Sequence, residues 1–476
     1  MKKNVILTIL AAFFLASIAG GQTLARNDDI VLKIEELVDK AAELELFSGS
    51  VLVAKEGKVL FSKACGEANK DFHIRNTIDT KFNVASITKP FTATAIMILA
   101  QRGLLKVNDP VINYLPDFRF GKNITIHHLL THTAGFDDYE SDPEYLEKMD
   151  QIRSLRGILE IIYKRTLPSV APGETMRYSN SGAVILGAII EKVSGQSFSE
   201  FLTKNIFSPL KMNNTCFKYI EDVVENRAVG YIRKMSGGYK NTCLMVSPAS
   251  SATGLLTTVQ DLLLFDHALY GSDLLNDDYK KMMFTPFKRS YAYFWGVIER
   301  FNNTVMVHSG GQPGFSAWFR RYVNDKYVII ALSNYDAGAD NIAFEIESIL
   351  FGKEYKLPRI PVGEFLYTWI QKEGLEKITE NMGRILKENG YQVSSPGALN
   401  VFGYSLLNQD DIEMAIKIFI LNSILFKNDA NAFEGLGEAY SKAGNKELAI
   451  RNYEKALKLD PANANAKMML GKLRQK

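Results

Sequence analysis

Ser86-Ile87-Thr88-Lys89 stands directly ahead of an unbroken apolar helix pattern. A serine followed three residues later by a lysine puts both side chains on one face of a helix's first turn. The amine there can hold or take the hydroxyl proton, and the helix N-terminus favours developing negative charge. Serine can then serve as an acyl-transfer nucleophile without a Ser-His-Asp set. Two further segments carry suitable groups. Tyr178-Ser179-Asn180 follows Pro172-Gly173-Glu174 and precedes an apolar helix pattern from Ala183 to Val193. His308-Ser309-Gly310-Gly311 lies at the end of a strand predicted over Thr304–His308. Tyr178 can act as a base only if a cation depresses its pKa, and Lys89 is the candidate. Taken singly, each has a plain structural reading: a core or loop tyrosine, a helix N-cap at Asn180, a turn at Gly310-Gly311.

A rival cluster is His127, His128 and His132, the last two spaced four apart as metal ligands on a helix can be. No H-E-x-x-H glutamate accompanies them and no third ligand is evident, so no metal is expected. Asp137, Asp138, Glu140 and Asp142 read as a solvated acidic loop at the rim of a cleft.

Positioning these groups requires a scaffold, and the pattern supplies one. A helical pattern over Ile30–Leu46 leads into β-rich runs Ser48–Ala54 and Lys58–Ala64 around the turn signal Glu56-Gly57. A long helical and loop-rich stretch runs to about Leu275. Strand character returns at Tyr291–Glu299, Thr304–His308, Ala317–Val323 and Tyr327–Leu332, with a turn at Asn324-Asp325, before a helix over Asn341–Phe351. Strands from both ends most simply pair into one antiparallel sheet flanked by the terminal helices, with the insertion as a helical lobe: an α+β fold with a site at the junction.

The three motifs, in this order and spacing, resemble those of the serine β-lactamase and penicillin-binding protein superfamily, in its class C β-lactamase, D-alanyl carboxypeptidase and esterase branch. Leu129-Leu130-Thr131-His132-Thr133-Ala134-Gly135 resembles that branch's LLTHTSG stretch, and Gly254-Leu255-Leu256-Thr257-Thr258 its GGLxST segment. The resemblance covers about residues 30 to 352 and implies a β-lactamase/transpeptidase-like fold that needs no cofactor. It implies catalytic roles for Ser86, Lys89 and Tyr178, and substrate contacts from Asn180, His308, Ser309 and Gly310. Asn180 would offer its amide to the acyl side and to Lys89. The backbone N–H groups of Ser86 and Gly311 would form the oxyanion hole. His308 departs from the K-T-G triad of lactamases and carboxypeptidases. Lysine there is a fixed cation suited to a substrate carboxylate, whereas histidine can be neutral near pH 7. That favours the esterase and peptidase types over β-lactams and D-Ala-D-Ala.

The chain has 476 residues, 46% hydrophobic and 23% charged, and a net charge of +3, which gives no argument for nucleic acid as a partner. Cys65, Cys216 and Cys243 are too few and too far apart for a disulfide framework. Lys2 and Lys3, an apolar stretch from Val5 to Ala19 and then Gly20-Gly21 read as a signal peptide over residues 1–21. The stretch is shorter than the ~20 residues a bilayer crossing needs, so export with cleavage, to the periplasm or the medium, is expected over a retained anchor. The hydrolase domain is expected over 26–355 and a linker with helical residues over 356–395. Repeats are expected over 396–476: Gly403, Ala415 and Phe419 recur 34 residues on as Gly437, Ala449 and Tyr453. This resembles the tetratricopeptide repeat, and a protein partner is a natural ligand for it. Two other classes stay open: a true β-lactamase or D-Ala-D-Ala carboxypeptidase, and a catalytically silent protein that binds through its repeats.

Overall fold

The structure is a computed structural model that describes residues 28–475 apart from 153, 165–169, 219–220, 235–236, 244 and 246. The expected signal segment, 1–21, lies outside the described residues. Two compact units are present, one of residues 1–232 with 239–358 and one of residues 233–238 with 359–476.

The first unit is built on a six-stranded sheet. Its strands are β1 (Gly49–Lys55), β2 (Lys58–Cys65), β3 (Gly296–Arg300), β4 (Asn303–Gln312), β5 (Phe315–Tyr322) and β6 (Tyr327–Ser333). They run in the order β3-β4-β5-β6-β1-β2, antiparallel throughout. The β1–β2 turn needs left-handed backbone at both central residues, and Glu56 (φ 52°) and Gly57 (φ 75°) provide it.

Alternation along the central strands divides two cores. Val51, Val53, Ile329 and Ala331 face helix α1 (residues 28–43) and the helix Gly338–Leu350. Leu52, Ala54, Ile330 and Leu332 face the inserted lobe. A strand buried on both faces reads as a continuous apolar run, as β1 does. On the α1 side, Arg320 and the Tyr322 hydroxyl donate to the fully buried Glu347 at 2.5 and 2.8 Å, and Arg300 adds a third contact at 3.0 Å.

Two helices of the lobe carry motif residues. Helix α2 (Thr88–Gln101) is buried from Thr88 to Ala100, with no polar face. The hydroxyls of Thr88, Thr92 and Thr94 survive there because each donates to a backbone carbonyl, of Ala85, Ser251 and Pro90. Helix α3 (Asn180–Ser194) is buried from Asn180 to Ile190 and ends on Gly195 in the left-handed region, φ 68°.

Two expected boundaries need correction, and one small sheet was not expected. The strand expected over Tyr291–Glu299 begins only at Gly296, because Arg289, Ser290 and Phe294 take left-handed backbone that breaks the ladder. The strand expected to stop at His308 continues to Gln312, which places Ser309, Gly310 and Gly311 in the sheet rather than in a turn. The lobe also contains a small sheet of Phe82–Asn83, Leu255–Thr257 and Cys216–Phe217, strands too short to leave a periodic signal.

The second unit is all helix from Val362 to Gln475, in seven segments. Its 34-residue period has a packing cause. A Cβ on Gly403 would fall 2.5 Å from the Phe419 ring, and one on Gly437 3.0 Å from the Tyr453 ring, so each glycine admits the aromatic of the following helix. Leu366, Ile370, Ile378 and Met382 share a core with Leu399, Phe402 and Phe419, so the helices ahead of the repeats pack against them.

Candidate active site

A 3₁₀ turn, Ala85–Ile87, leads into α2 and carries Ser86. Ala85 is left-handed, φ 46°, and three bonds hold it so. Its N–H donates to Asn83 Oδ1, its carbonyl accepts from the Thr88 hydroxyl, and that hydroxyl accepts from Leu255 N–H. Ser86 stays half-buried while Lys89 is fully buried. Lys89 Nζ lies 3.0 Å from Ser86 Oγ and 2.8 Å from the Ala252 carbonyl. Loss of water lowers the Lys89 pKa to about 7, against an upward pull from Glu140 and Asp138.

Tyr178 reaches the same point. Its hydroxyl acts on Ser86, and Lys89 Nζ sits 4.9 Å from its ring centroid. The expected depression of its pKa is not found. The residue as a whole is 42% exposed, but its hydroxyl is the end turned to Ser86. Withdrawal from water there, with Asp138 and Glu140 adding repulsion, pushes the phenol well above its ordinary value. The lysine is therefore the group with proton affinity near neutrality.

The acidic loop is solvated only in part: Asp137 is exposed, but Asp138 and Glu140 turn to Asn180. Asp138 Oδ2 accepts from Asn180 N–H at 2.7 Å, and Glu140 Oε2 accepts from Asn180 Nδ2 at 2.8 Å. Glu140 Oε1 lies 3.4 Å from Ser247 Oγ. Burial and then Asp138 raise the Glu140 pKa. Asn180's amide N–H₂ is thus directed to Glu140, not to Lys89, and its Oδ1 is buried without a partner among the described residues.

The imidazoles do not converge. His127 Nδ1 is 2.9 Å from the Tyr293 hydroxyl, and His128 Nδ1 accepts from Thr125 N–H at 3.2 Å. His132 belongs to the site and was missed. Its Nδ1 accepts from Ser179 N–H at 3.2 Å, which leaves the proton on Nε2, and its ring lies 4.4 Å from that of Tyr178. Burial, then Lys89 and His308, hold it well below its ordinary pKa. The spacing His128–His132 pointed toward a metal; only the folded loop reveals the ring contact with Tyr178. Among the described residues no three His, Cys, Asp or Glu cluster as metal ligands.

Strand β4 closes the site. A Cβ on Gly310 would lie 2.1 Å from the Val84 carbonyl and 3.2 Å from Ser86 N, so only glycine lets the strand touch the serine turn. Gly311 faces open space and Ser309 is exposed. Strand β3 pairs with β4 only as far as Val307, which leaves the edge of 308–312 without a partner strand on that side. His308 is 7% exposed; its Nδ1 donates to the Ser309 carbonyl at 2.7 Å, and Nε2 is 3.5 Å from the Tyr291 hydroxyl. Burial, then Lys89, lowers its pKa to about 3, so it is neutral. At the other end of this edge Gln312 donates to Thr253. A cavity of about 340 Å³ in the same unit is lined by Asn83, Met149, Ser247, Gly254, Leu256 and Phe315 among others.

Comparison with known proteins gives the family. The Beta-lactamase family model matches residues 34–350. The chain belongs to the beta-lactamase family. Penicillin-binding protein 4* of Bacillus subtilis (strain 168) is 30% identical over 354 residues, which are 69% of this chain and 78% of that one. Protein flp of Staphylococcus aureus (strain N315) is 29% identical over 63% of each chain, so the alignment leaves more than a third of that relative uncovered. The crystal structure of a penicillin-binding protein from Bacillus halodurans superposes with a TM-score of 0.62 at 28% identity, covering 66% of this chain and 98% of that one. A second family model, Tetratricopeptide repeat, matches residues 430–463. The β-lactamase-like fold therefore carries a helical unit with a tetratricopeptide repeat, and no described helix is long and apolar enough to cross a membrane.

Proposed function

We propose that this protein is an exported serine hydrolase that forms an acyl-enzyme at Ser86 on an ester, amide or peptide substrate. The observation that carries the reading is the buried Lys89 amine, with its pKa near 7, 3.0 Å from Ser86 Oγ. Ser86 Oγ attacks the acyl carbon while its proton passes to Lys89. The oxyanion is held by the N–H groups of Ser86 and Gly311. Collapse of the intermediate expels the leaving group. It takes the proton of the Tyr178 hydroxyl, and that hydroxyl recovers a proton from the Lys89 ammonium. Water then repeats the sequence on the acyl-enzyme. Neutral His308 supplies no fixed cation for a carboxylate on the leaving-group side, which supports esters and uncharged amides. The Lys2-Lys3 start and the following apolar stretch support export. The repeat unit supports a protein or peptide partner.

Intact-mass analysis after a fluorophosphonate tests the nucleophile. Wild type should gain one adduct and Ser86→Ala none; an unlabelled wild type, or a labelled Ser86→Ala, overturns the reading. The name of the Bacillus subtilis relative favours a second reading, a β-lactam or D-Ala-D-Ala enzyme. Nitrocefin hydrolysis faster than that of simple esters would establish it.

A further inference from the structure

The helical unit repeats its packing but not its polar groups. Its period sets Asn400, Glu434 and Met468 at equivalent places on the helices Gly397–Asn408, Ala430–Lys442 and Ala464–Gln475, and Tyr404, Glu438 and Lys472 one turn further on. Only the middle helix has a carboxylate at both places. Spaced i, i+4, Glu434 and Glu438 share a helix face and repel each other. Glu434 is fixed: its two oxygens accept from Asn463 Nδ2 at 2.6 Å and Asn465 Nδ2 at 2.7 Å. Those amides supply hydrogen bonds but no positive charge. Among the described residues neither carboxylate has an ion-pair partner, and Lys472 is exposed.

Behind these charges lies an orphaned hydroxyl. Tyr453 stands in the second repeat where the first has Phe419, and its ring packs on Gly437, where a Cβ would fall 3.0 Å from it. The residue is fully buried, and the hydroxyl that distinguishes it from phenylalanine has no partner among the described residues. A phenylalanine would avoid that cost. After burial, the groups that act on this phenol are Glu438, Tyr404 and Glu434, and those that act on Tyr404 are the same two glutamates. All push the phenols up, and no cation opposes them. The hydroxyl is therefore directed to the acidic face, beside Tyr404, whose ring meets that of Phe419 edge-on at 5.3 Å. Tyr404, Glu434 and Glu438 are each half-buried, so a ligand can reach them.

We propose that Glu438, with Glu434 and the hydroxyls of Tyr404 and Tyr453, is a recess for an arginine side chain of a partner protein. This rests on the reading of the repeat unit, given above, as a module for a protein or peptide partner. A guanidinium suits the recess better than an ammonium. Its planar fork donates two parallel hydrogen bonds to the Glu438 carboxylate, and its other N–H groups are left for the phenol oxygens. Its charge also offsets the repulsion between the two glutamates.

The test uses the full chain with Ser86→Ala, so that no peptide is consumed. Blocked random heptapeptides with a fixed central arginine, citrulline or glutamate are panned on it. The tightest sequence is then measured by fluorescence anisotropy with arginine and with citrulline, its uncharged counterpart. The arginine set should supply the binders, and citrulline should weaken binding roughly tenfold or more. Glu438→Gln and Tyr453→Phe should each bring the ratio of the two affinities toward one. Neither should lower the melting temperature, since one removes a like charge and the other an orphaned hydroxyl. Binders without a preference for arginine, or a preference that survives in either variant, overturn the recess and leave the module reading standing. A Tyr453→Phe chain that melts well below its parent also overturns it, because the hydroxyl is then structural. No binder from any set overturns the module reading and the recess together.

Discussion

The Lys89 amine should set the pH dependence of acylation. An ordinary lysine, pKa 10.5, is neutral in about 0.03% of molecules at pH 7, whereas one with a pKa of about 7 is neutral in about half. Burial thus raises the concentration of competent base by roughly a thousandfold. The rate constant for fluorophosphonate labelling of Ser86 isolates this step from deacylation. It should rise with pH to half its maximum near 7 and stay level above about 8. The sign follows from protonation: activity is lost as pH falls through the Lys89 pKa, because the ammonium cannot accept the serine proton. Glu140→Gln should move the midpoint to lower pH, since Glu140 is the largest influence holding that pKa up. Lys89→Met should label at least a hundredfold more slowly than wild type at pH 8. A profile flat from pH 5 to 9 would refute the assignment. A midpoint above 9, tracking the phenol, would pass the base role to Tyr178.

Gly310→Ala should drive a methyl into the Val84 carbonyl, costing about 1–3 kcal/mol and slowing Ser86 labelling far more than the melting temperature alone would imply; thermal melts beside labelling rates check this. Arg320→Met leaves Glu347 buried against Arg300 and Tyr322 only, and should cost about 3–5 kcal/mol in urea unfolding. Arg320→Met combined with Glu347→Leu should recover most of that loss, and a double mutant no better than the single would refute the ion-pair account.

What could be read from the chain follows from where the information sits. The sheet was legible because Val51 to Ala54 and Tyr327 to Leu332 are apolar at every position, as strands between two cores must be. The repeats were legible because Gly403 and Gly437 each face an aromatic ring at a fixed distance along the chain. Ser86, Lys89 and Tyr178 meet as their spacing suggested. The acidic loop was misread because composition does not say which way a loop turns: Asp138 and Glu140 look like surface residues until Asn180 is seen between them. The place of His132 in the site was not legible because its partners, Tyr178, Tyr291 and Phe294, come from remote segments. The Tyr178 shift ran against expectation because withdrawal of its hydroxyl from water dominates, with Asp138 and Glu140 adding repulsion.

The Ala252 carbonyl, 2.8 Å from Lys89 Nζ, has a stereochemical consequence. A backbone oxygen can only accept, whatever the pH, so one N–H of the amine stays committed to it in both protonation states. When the amine gives up the proton it shares with Ser86, the lone pair this leaves faces Ser86 Oγ, and the hydrogen bond between the two residues reverses direction. Before the loss the nitrogen donates to the serine; afterwards the serine donates to the nitrogen. A fixed peptide oxygen from a distant part of the chain thus acts as a compass for the lone pair.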